Sequence, residues 1–182
     1  MAHAREMVEQ GARIIDVGGE STRPGAEEVS VEEELDRILD VVRDLAAEGI
    51  CVSVDTRHVD VARACVEAGA SIINDVSGFR DPAMIELAAS CDAGVIVMHM
   101  QDEPGTMQDD PQYDDVVAEV YDYLVAQAAK LEAAGVDHDR ICIDPGPGFG
   151  KTYRQTIELV RNYQEFVHAG YPVMVALSRK SY

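Results

Sequence analysis

The chain contains no tryptophan, only three phenylalanines, and aromatics make up 5% of its 182 residues. An aromatic core is therefore excluded, and Ile, Val, Leu and Ala must supply the packing. Its four cysteines, Cys51, Cys65, Cys91 and Cys142, lie far apart with no C-x-x-C pair. That spacing excludes a zinc-ribbon pattern and a small disulfide framework, and it suits thiols in the core of a reduced, cytoplasmic protein. No window holds the roughly 18 apolar residues of a spanning helix, and no signal peptide opens the chain, so no membrane partner is expected. Basic residues are scarce: 15 Lys and Arg stand against 34 Asp and Glu, a formal net charge of −19. Such a surface repels phosphate backbones, which excludes nucleic acid and anionic membranes as partners. The carboxylates cluster in helical windows such as Glu32–Glu34 and read as solvated helix faces. Any bound anion would have to be held by locally placed cations against this overall field.

What is present is an apolar share of 47% arranged in a regular alternation. Windows with helical periodicity are each followed by an apolar run of a few residues. The first helix ends at Gly11 and precedes the strand Arg13–Val17. A second starts at Ser30, with Glu33 three positions on as a capping box, and carries Leu35, Ile38, Leu39 and Val42 on one face. It stops at Gly49 before the strand Ile50–Val54. There follow helix Val59–Ala68 and strand Ser71–Ile73, then helix Ala83–Ser90 and strand Val95–Met98. A long helix, Asp114–Ala134, leads to strand Ile141–Ile143, and helix Tyr153–Val167 to strand Val173–Leu177. Glycine closes most of these helices. Six strands alternating with helices imply right-handed crossovers and a parallel α/β sheet. No linker, repeat or low-complexity stretch divides residues 1–182, which read as one domain.

The polar residues decide between an open and a closed sheet. Asp16 and then Glu20-Ser21-Thr22-Arg23 follow the first strand, and Asp55-Thr56-Arg57 the second. Asn74-Asp75 end the third, His99 the fourth and Asp144 the fifth, and Ser178-Arg179-Lys180-Ser181 follow the sixth. In an open doubly wound sheet, ligand contacts gather at one switch point. In a closed barrel every carboxyl end reaches one rim. The expectation is a (β/α)8 TIM barrel, with about six of its eight units in this chain. A Rossmann-like open sheet stays possible, although no G-x-G-x-x-G follows the first strand.

Several clusters on that rim suit chemistry. Gly18 and Gly19 permit close backbone approach, and Thr22 and Arg23 offer a hydroxyl and a planar fork suited to a carboxylate or phosphate. Asp55, Asn74 and Asp144 can pair with the edge of a nitrogen heterocycle, carboxylates accepting from ring N–H and amino groups while an amide does both. Each alone could instead cap the following helix. In Asp144–Lys151 the glycines resemble a phosphate cradle, but the run before Gly150-Lys151-Thr152 is one residue short of a P-loop; Phe149 suits stacking on a flat ligand. Lys180 could act as a Schiff-base nucleophile or, with Arg179 and two hydroxyls beside it, as an anion clamp. His99 has no second ligand at metal spacing and reads as packing near the rim.

Taken together, ESTRPG at Glu20–Gly25, VSVDT at Val52–Thr56, IINDVSG at Ile72–Gly78, VMHM at Val97–Met100, the DPGxGFGK pattern at Asp144–Lys151 and SRKS at Ser178–Ser181 resemble dihydropteroate synthases. The motifs run in order over essentially the whole chain. The resemblance implies a barrel enzyme of folate biosynthesis, a sulfonamide target. Such an enzyme joins 6-hydroxymethyl-7,8-dihydropterin diphosphate to p-aminobenzoate and releases diphosphate. Position by position it makes Asp55, Asn74, Met98, Asp144 and Lys180 the pterin contacts, with Asp55, Asp144 and Lys180 taking part in catalysis. Thr22, Arg23, Pro24, Phe149 and Ser181 fall on the p-aminobenzoate side. It further implies Mg²⁺, bound through the diphosphate and a first-strand loop, and a homodimer.

Two motifs of that family are absent, an Asn-Val-Thr-Pro-Asp-Ser-Phe-type loop and a final Arg-x-His. The expectation is thus a domain cut before its first strand and after the strand ending near Leu177, with no metal ligand of its own and weak or no activity alone. Pro147 also stands where the family more often has a bulky apolar residue. Two other readings stay open on the residues: a pterin-binding domain of a folate-dependent methyltransferase, and a non-catalytic pterin-binding paralogue.

Overall fold

Five of the six apolar runs become strands in the structure, a computed structural model that describes residues 1–22, 27–102 and 106–177. Helix α1 (Ala2–Glu9) precedes β1 (Ile14–Gly18). Then come α2 (Val31–Ala47), β2 (Cys51–Asp55), α3 (Val59–Glu67), β3 (Ile72–Asp75), α4 (Pro82–Ala89) and β4 (Gly94–Met98). Helix α5 (Val116–Ala133), β5 (Ile141–Asp144), α6 (Tyr153–Arg161) and α7 (Tyr163–Val167) complete the order. Every strand pairs in parallel with the next, in the order β1-β2-β3-β4-β5. The chain always steps the same way, with no reversal of order. That is an arc of a (β/α) barrel and not a doubly wound sheet. The helices follow suit, α2 packing on α3, α3 on α4, α4 on α5 and α5 on α6.

Side chains alternate across each strand, and the two faces differ completely. Ile15, Val52, Val54, Ile73, Val95, Val97, Ile141 and Ile143 point outward into the aliphatic layer beneath the helices. Asp16, Ser53, Asp55, Asn74, Met98 and Asp144 point inward to a cavity. Helix starts are fixed by side chains: Asp81 accepts from the Ala83 N–H, and Asp115 from Val117 and Ala118. After α2 and α3 the chain turns at Gly49 and Gly69, whose φ values of +77° and +109° favour glycine. Gly94, by contrast, is the first residue of β4.

Four sequence expectations need correction. The sixth strand is reduced to a single parallel bridge between Ile143 and Val173. Ile143 donates to Pro172 O at 2.9 Å and Met174 to Ile143 O at 2.8 Å. The next donor in that ladder would be the N–H of residue 145, which is proline and has none. The helix expected over Tyr153–Val167 is broken at Asn162 (φ −111°, ψ 21°), whose side-chain amide donates to Glu158 O at 2.8 Å in competition with the backbone. Ser30 does cap α2, accepting from the Glu33 N–H at 3.2 Å. The Glu33 carboxylate, however, is held by Arg37, and the full capping box stands at Thr152 and Gln155. Finally, Glu34 is no solvated face. It is fully buried, with Oε2 2.7 Å from His58 Nδ1.

Beyond β3 the alternation separates two neighbouring polar residues. Asn74 faces the cavity, while Asp75 turns outward, fully buried. Its carboxylate accepts from the Ser77 N–H, the Ser77 hydroxyl and the Phe79 N–H at 2.8, 2.6 and 2.8 Å. Phe79 sits there in a left-handed conformation (φ +55°) that a non-glycine residue adopts only when its surroundings enforce it. From α5, Gln127 completes the turn by donating to Gly78 O at 2.6 Å and Phe79 O at 3.1 Å. Replacing Gln127 with the similarly shaped Met would leave two buried carbonyls without this donor. A loss of about 1–3 kcal/mol is expected in urea denaturation; an unchanged midpoint would show that the turn does not depend on it.

Candidate functional site

Parallel register arranges the inward side chains in tilted rows. Asp16 pairs with Ser53, Asp55 with Asn74, Asn74 with Ile96, and Met98 with Asp144. Polar groups thus concentrate on β1–β3, and an apolar surface of Ile96, Met98 and Met174 forms beside them, with Asp144 across from the first group. The cavity they enclose measures about 410 Å³. That is within the range of a small-ligand site of mostly apolar walls and few convergent polar groups. It thus presents a polar edge beside an apolar floor.

Asp55 is the most perturbed group in it. Burial, reinforced by the negative charges of Asp16, Glu34, Asp75 and Glu20, pushes its carboxyl up to about 8. Its Oδ1 is buried and has no hydrogen-bond partner among the described residues. Ser53, two residues earlier on the same face, has a buried Oγ in the same condition. Beside them the Asn74 amide lies 3.4 Å from both oxygens of Asp16, a contact that directs its N–H groups to Asp16 and its carbonyl oxygen away. Buried polar atoms without partners are costly and are expected where a ligand or water completes them.

The glycine loop after β5 brings the other two groups. Asp144 accepts from the Gly146 N–H through Oδ1 at 2.8 Å. Gly146 is left-handed (φ +61°), and a Cβ there would lie 2.2 Å from His99 O, so the loop crosses β4's end at a distance only glycine allows. Lys151 is buried, and its ammonium donates to the carbonyls of His99 (3.1 Å), Gly146 (3.0 Å) and Phe149 (2.8 Å). This lysine clamps the loop through three backbone carbonyls. Burial and the Lys151 charge push His99 down to about 2, so its ring is neutral, and it packs edge-on against Tyr123 with centroids 4.9 Å apart.

Of the residues singled out in the sequence, Thr22, Asp55, Asn74, Met98, Asp144 and Phe149 all line this one cavity. Arg23, Pro24, Lys180 and Ser181 lie outside the described residues. Sequence reasoning gave no ligand role to Asp16, Ser53, Ile96 or Met174. Counting back in twos from Asp55, and on from the pairing register, would have found the first two. Among the described residues no lysine or arginine lines the cavity, and no group of three or more His, Cys, Asp or Glu could hold a metal ion.

The family model for pterin binding enzymes matches residues 1–182. The chain is 48% identical over 180 residues to the dihydropteroate synthase of Escherichia coli K12, covering 98% of this chain and 64% of that protein. Among solved structures, Yersinia pestis dihydropteroate synthase in complex with a sulfonamide drug superposes with a TM-score of 0.95 at 40% identity. The alignment covers 98% of this chain and 66% of that one. Thermus thermophilus dihydropteroate synthase with 4-aminobenzoate gives 0.92 at 47% identity, over 98% and 68%. The chain therefore spans about two thirds of the length of these relatives. Its cavity, its barrel arc and its sequence over all 182 residues place it in the pterin-binding enzyme family.

Proposed function

We propose that this chain carries the pterin site of a dihydropteroate synthase, the transferase that condenses 6-hydroxymethyl-7,8-dihydropterin diphosphate with p-aminobenzoate. One observation supports this most directly: Asp55, Asn74 and Asp144 border an apolar floor of Ile96, Met98 and Met174. A pterin is flat, and its edge alternates donors and acceptors in the way an Asn carbonyl and two carboxyl groups can satisfy. Phe149 and Thr22 also line this cavity, and the resemblance puts both on the aromatic amine's side. By resemblance, Arg23, Pro24 and Ser181 share that side, and Lys180 adds positive charge on the pterin side.

The reaction asks little acid–base work of the protein. The carbon–oxygen bond to diphosphate breaks, positive charge develops on the methylene carbon and spreads into the electron-rich pterin, and the amine nitrogen attacks that carbon. Carboxylates fixed at Asp55 and Asp144 favour this charge, and the amine then loses its proton to solvent or to the departing diphosphate. Holding the two substrates in line supplies much of the remaining acceleration. Mg²⁺ would neutralise the diphosphate. Among the described residues no group of three or more His, Cys, Asp or Glu forms a site for it. A cytoplasmic location and a homodimer complete the proposal, the first from the reduced cysteines and the second from the resemblance alone.

The complete gene product carrying this sequence is expected to convert the two substrates with one diphosphate released per amine consumed. Binding of a pterin but not of p-aminobenzoate, with diphosphate present, would overturn the synthase reading in favour of another pterin-binding role.

The raised carboxyl of Asp55 gives a second prediction. Near neutral pH it is mostly protonated, whereas a pterin's N–H groups call for the ionised form. Binding then expels a proton, and affinity falls by up to about tenfold per unit as pH drops below about 8. Calorimetry in buffers of differing ionisation heat measures this release; none at pH 7 would exclude it. For stability the sign is opposite to that of an ordinary salt-bridged Asp. The folded state holds the proton more tightly than the 3.8 of a free carboxyl, so Asp55 loses stabilising effect as pH rises from about 4 to 8. Asp55→Asn should lose pterin affinity, yet melt at a higher temperature than the native protein above pH 8.

A further inference from the structure

Behind the rim, away from the cavity, lies a charged cluster that the reaction does not use. The Arg57 guanidinium meets Glu20 in a two-pronged contact, Nε to Oε2 at 2.9 Å and Nη2 to Oε1 at 3.1 Å. The same Nη2 donates to Glu28 Oε1 at 3.1 Å. Glu20 Oε1 also accepts from the Val29 N–H at 3.3 Å. One guanidinium and one carboxylate therefore hold both ends of the segment from Glu20 to Val29. The inner pair is shielded, with 19% and 9% of the two side chains exposed, while Glu28 is 84% exposed. Shielded two-pronged Arg–carboxylate contacts are among the strong, orienting ones, and exposed single contacts contribute little.

The support extends below this pair. Arg37 Nη1 donates to Gly19 O at 2.7 Å. Gly19 lies so close to α2 that a Cβ would stand 2.7 Å from Glu34 Cγ. Glu34, fully buried, is held by His58, the residue beside Arg57. Thr22 leaves this base two residues past Glu20 and lines the cavity. The backbone at 18–20 is thus fixed against α2 and against the β2–α3 turn, and Thr22 inherits that placement.

We propose that Arg57 is a positioning residue. By closing the base of the segment from Glu20 to Glu28 it sets Thr22 in the cavity wall, and with it the site for the aromatic amine. Its effect falls on the second substrate and spares the pterin edge, since Asp55 and Asn74 are fixed by the β2–β3 ladder and not by this pair. This inference rests on the synthase reading for the identity of the amine, and on geometry alone for the placement of Thr22.

Steady-state kinetics and threonine-methyl NMR of the complete gene product test the two parts separately. Arg57→Gln should raise KM for p-aminobenzoate about tenfold or more, with KM for the dihydropterin diphosphate changed less than about twofold and kcat at saturating amine nearly kept; tenfold corresponds to about 1.4 kcal/mol. Arg57→Lys, which keeps the charge but not the fork, should restore part of the loss. Glu28→Gln, exposed and unable to disturb the fold, should raise the amine KM by no more than about threefold. The Thr22 methyl signal should move in Arg57→Gln, and that of Thr152, far from the cluster, should not. An unmoved Thr22 signal overturns the inference whatever the turnover, as does an equal rise in both KM values. Native protein that fails to turn over the amine while Arg57→Gln still moves Thr22 overturns only the synthase reading.

Discussion

Parallel pairing with a two-residue side-chain period constrains every other feature of this chain, because each strand must serve two unlike environments at once. Outward residues face helices across a dry layer, so they are Ile and Val almost without exception. Inward residues face the barrel axis, where the tilt of the strands staggers them into rows. The register then decides which polar groups meet: Asp55 beside Asn74, and Asp144 beside Met98. A slip of one residue on β2 would send Asp55 under the helices and bring Val54 into the cavity. The aliphatic layer therefore fixes the site's polarity. Exchanging a single inward residue alters chemistry, and exchanging an outward one alters packing.

That constraint has an electrostatic cost. Asp16, Asp55 and Asp144 converge on one cavity whose described walls carry no lysine or arginine. Burial raises the cost of charge at Asp55, and Glu34 and Asp75 add negative charge from behind. Burial first, and this repulsion second, favour proton uptake in the isolated protein, as the raised Asp55 carboxyl reflects. A ligand rich in N–H donors, or one developing positive charge, relieves it better. The same charge crowding that lowers stability favours such a ligand on physical grounds, and it would be lost if the carboxylates were paired internally.

Much of this was legible in the sequence, for reasons that can be traced. Apolar runs and closing glycines mark the strands and helices because burial and left-handed turns admit few residue types there. Polar strand ends mark the rim, and six of the residues singled out do meet in one cavity. The failures came where an interaction reaches outside its own segment. Glu34 looks like its solvated neighbours until His58 is seen 2.7 Å away. Asp75 looks like Asn74 until alternation turns it into the core. The sixth strand is apolar enough, but its ladder meets Pro145 just past the end of β5, a fact no reading of residues 173–177 alone contains.

The cations show how an acidic chain uses a scarce resource. Only 15 lysines and arginines are available, and the structure places several at loop bases and not on the cavity wall. Arg57 gathers Glu20 and Glu28; Lys151 gathers three carbonyls of the glycine loop and β4's end; Arg80 donates to Asp102 O at 2.8 Å and also to Met100 O. Lys151 and Arg80 satisfy carbonyls that an irregular backbone leaves exposed at its turn, and Arg57 satisfies two carboxylates at a loop base, tasks that suit a multi-pronged donor. The three loops so held follow β1, β4 and β5, the strands that flank and face Asp55. Here positively charged side chains tie the loops down, Lys151 buried, Arg57 partly shielded and Arg80 exposed. That choice couples loop order to the carboxylate field: Arg57 holds the Glu20 carboxyl down and Arg80 acts in the same sense on Asp75, two of the negative charges that crowd Asp55.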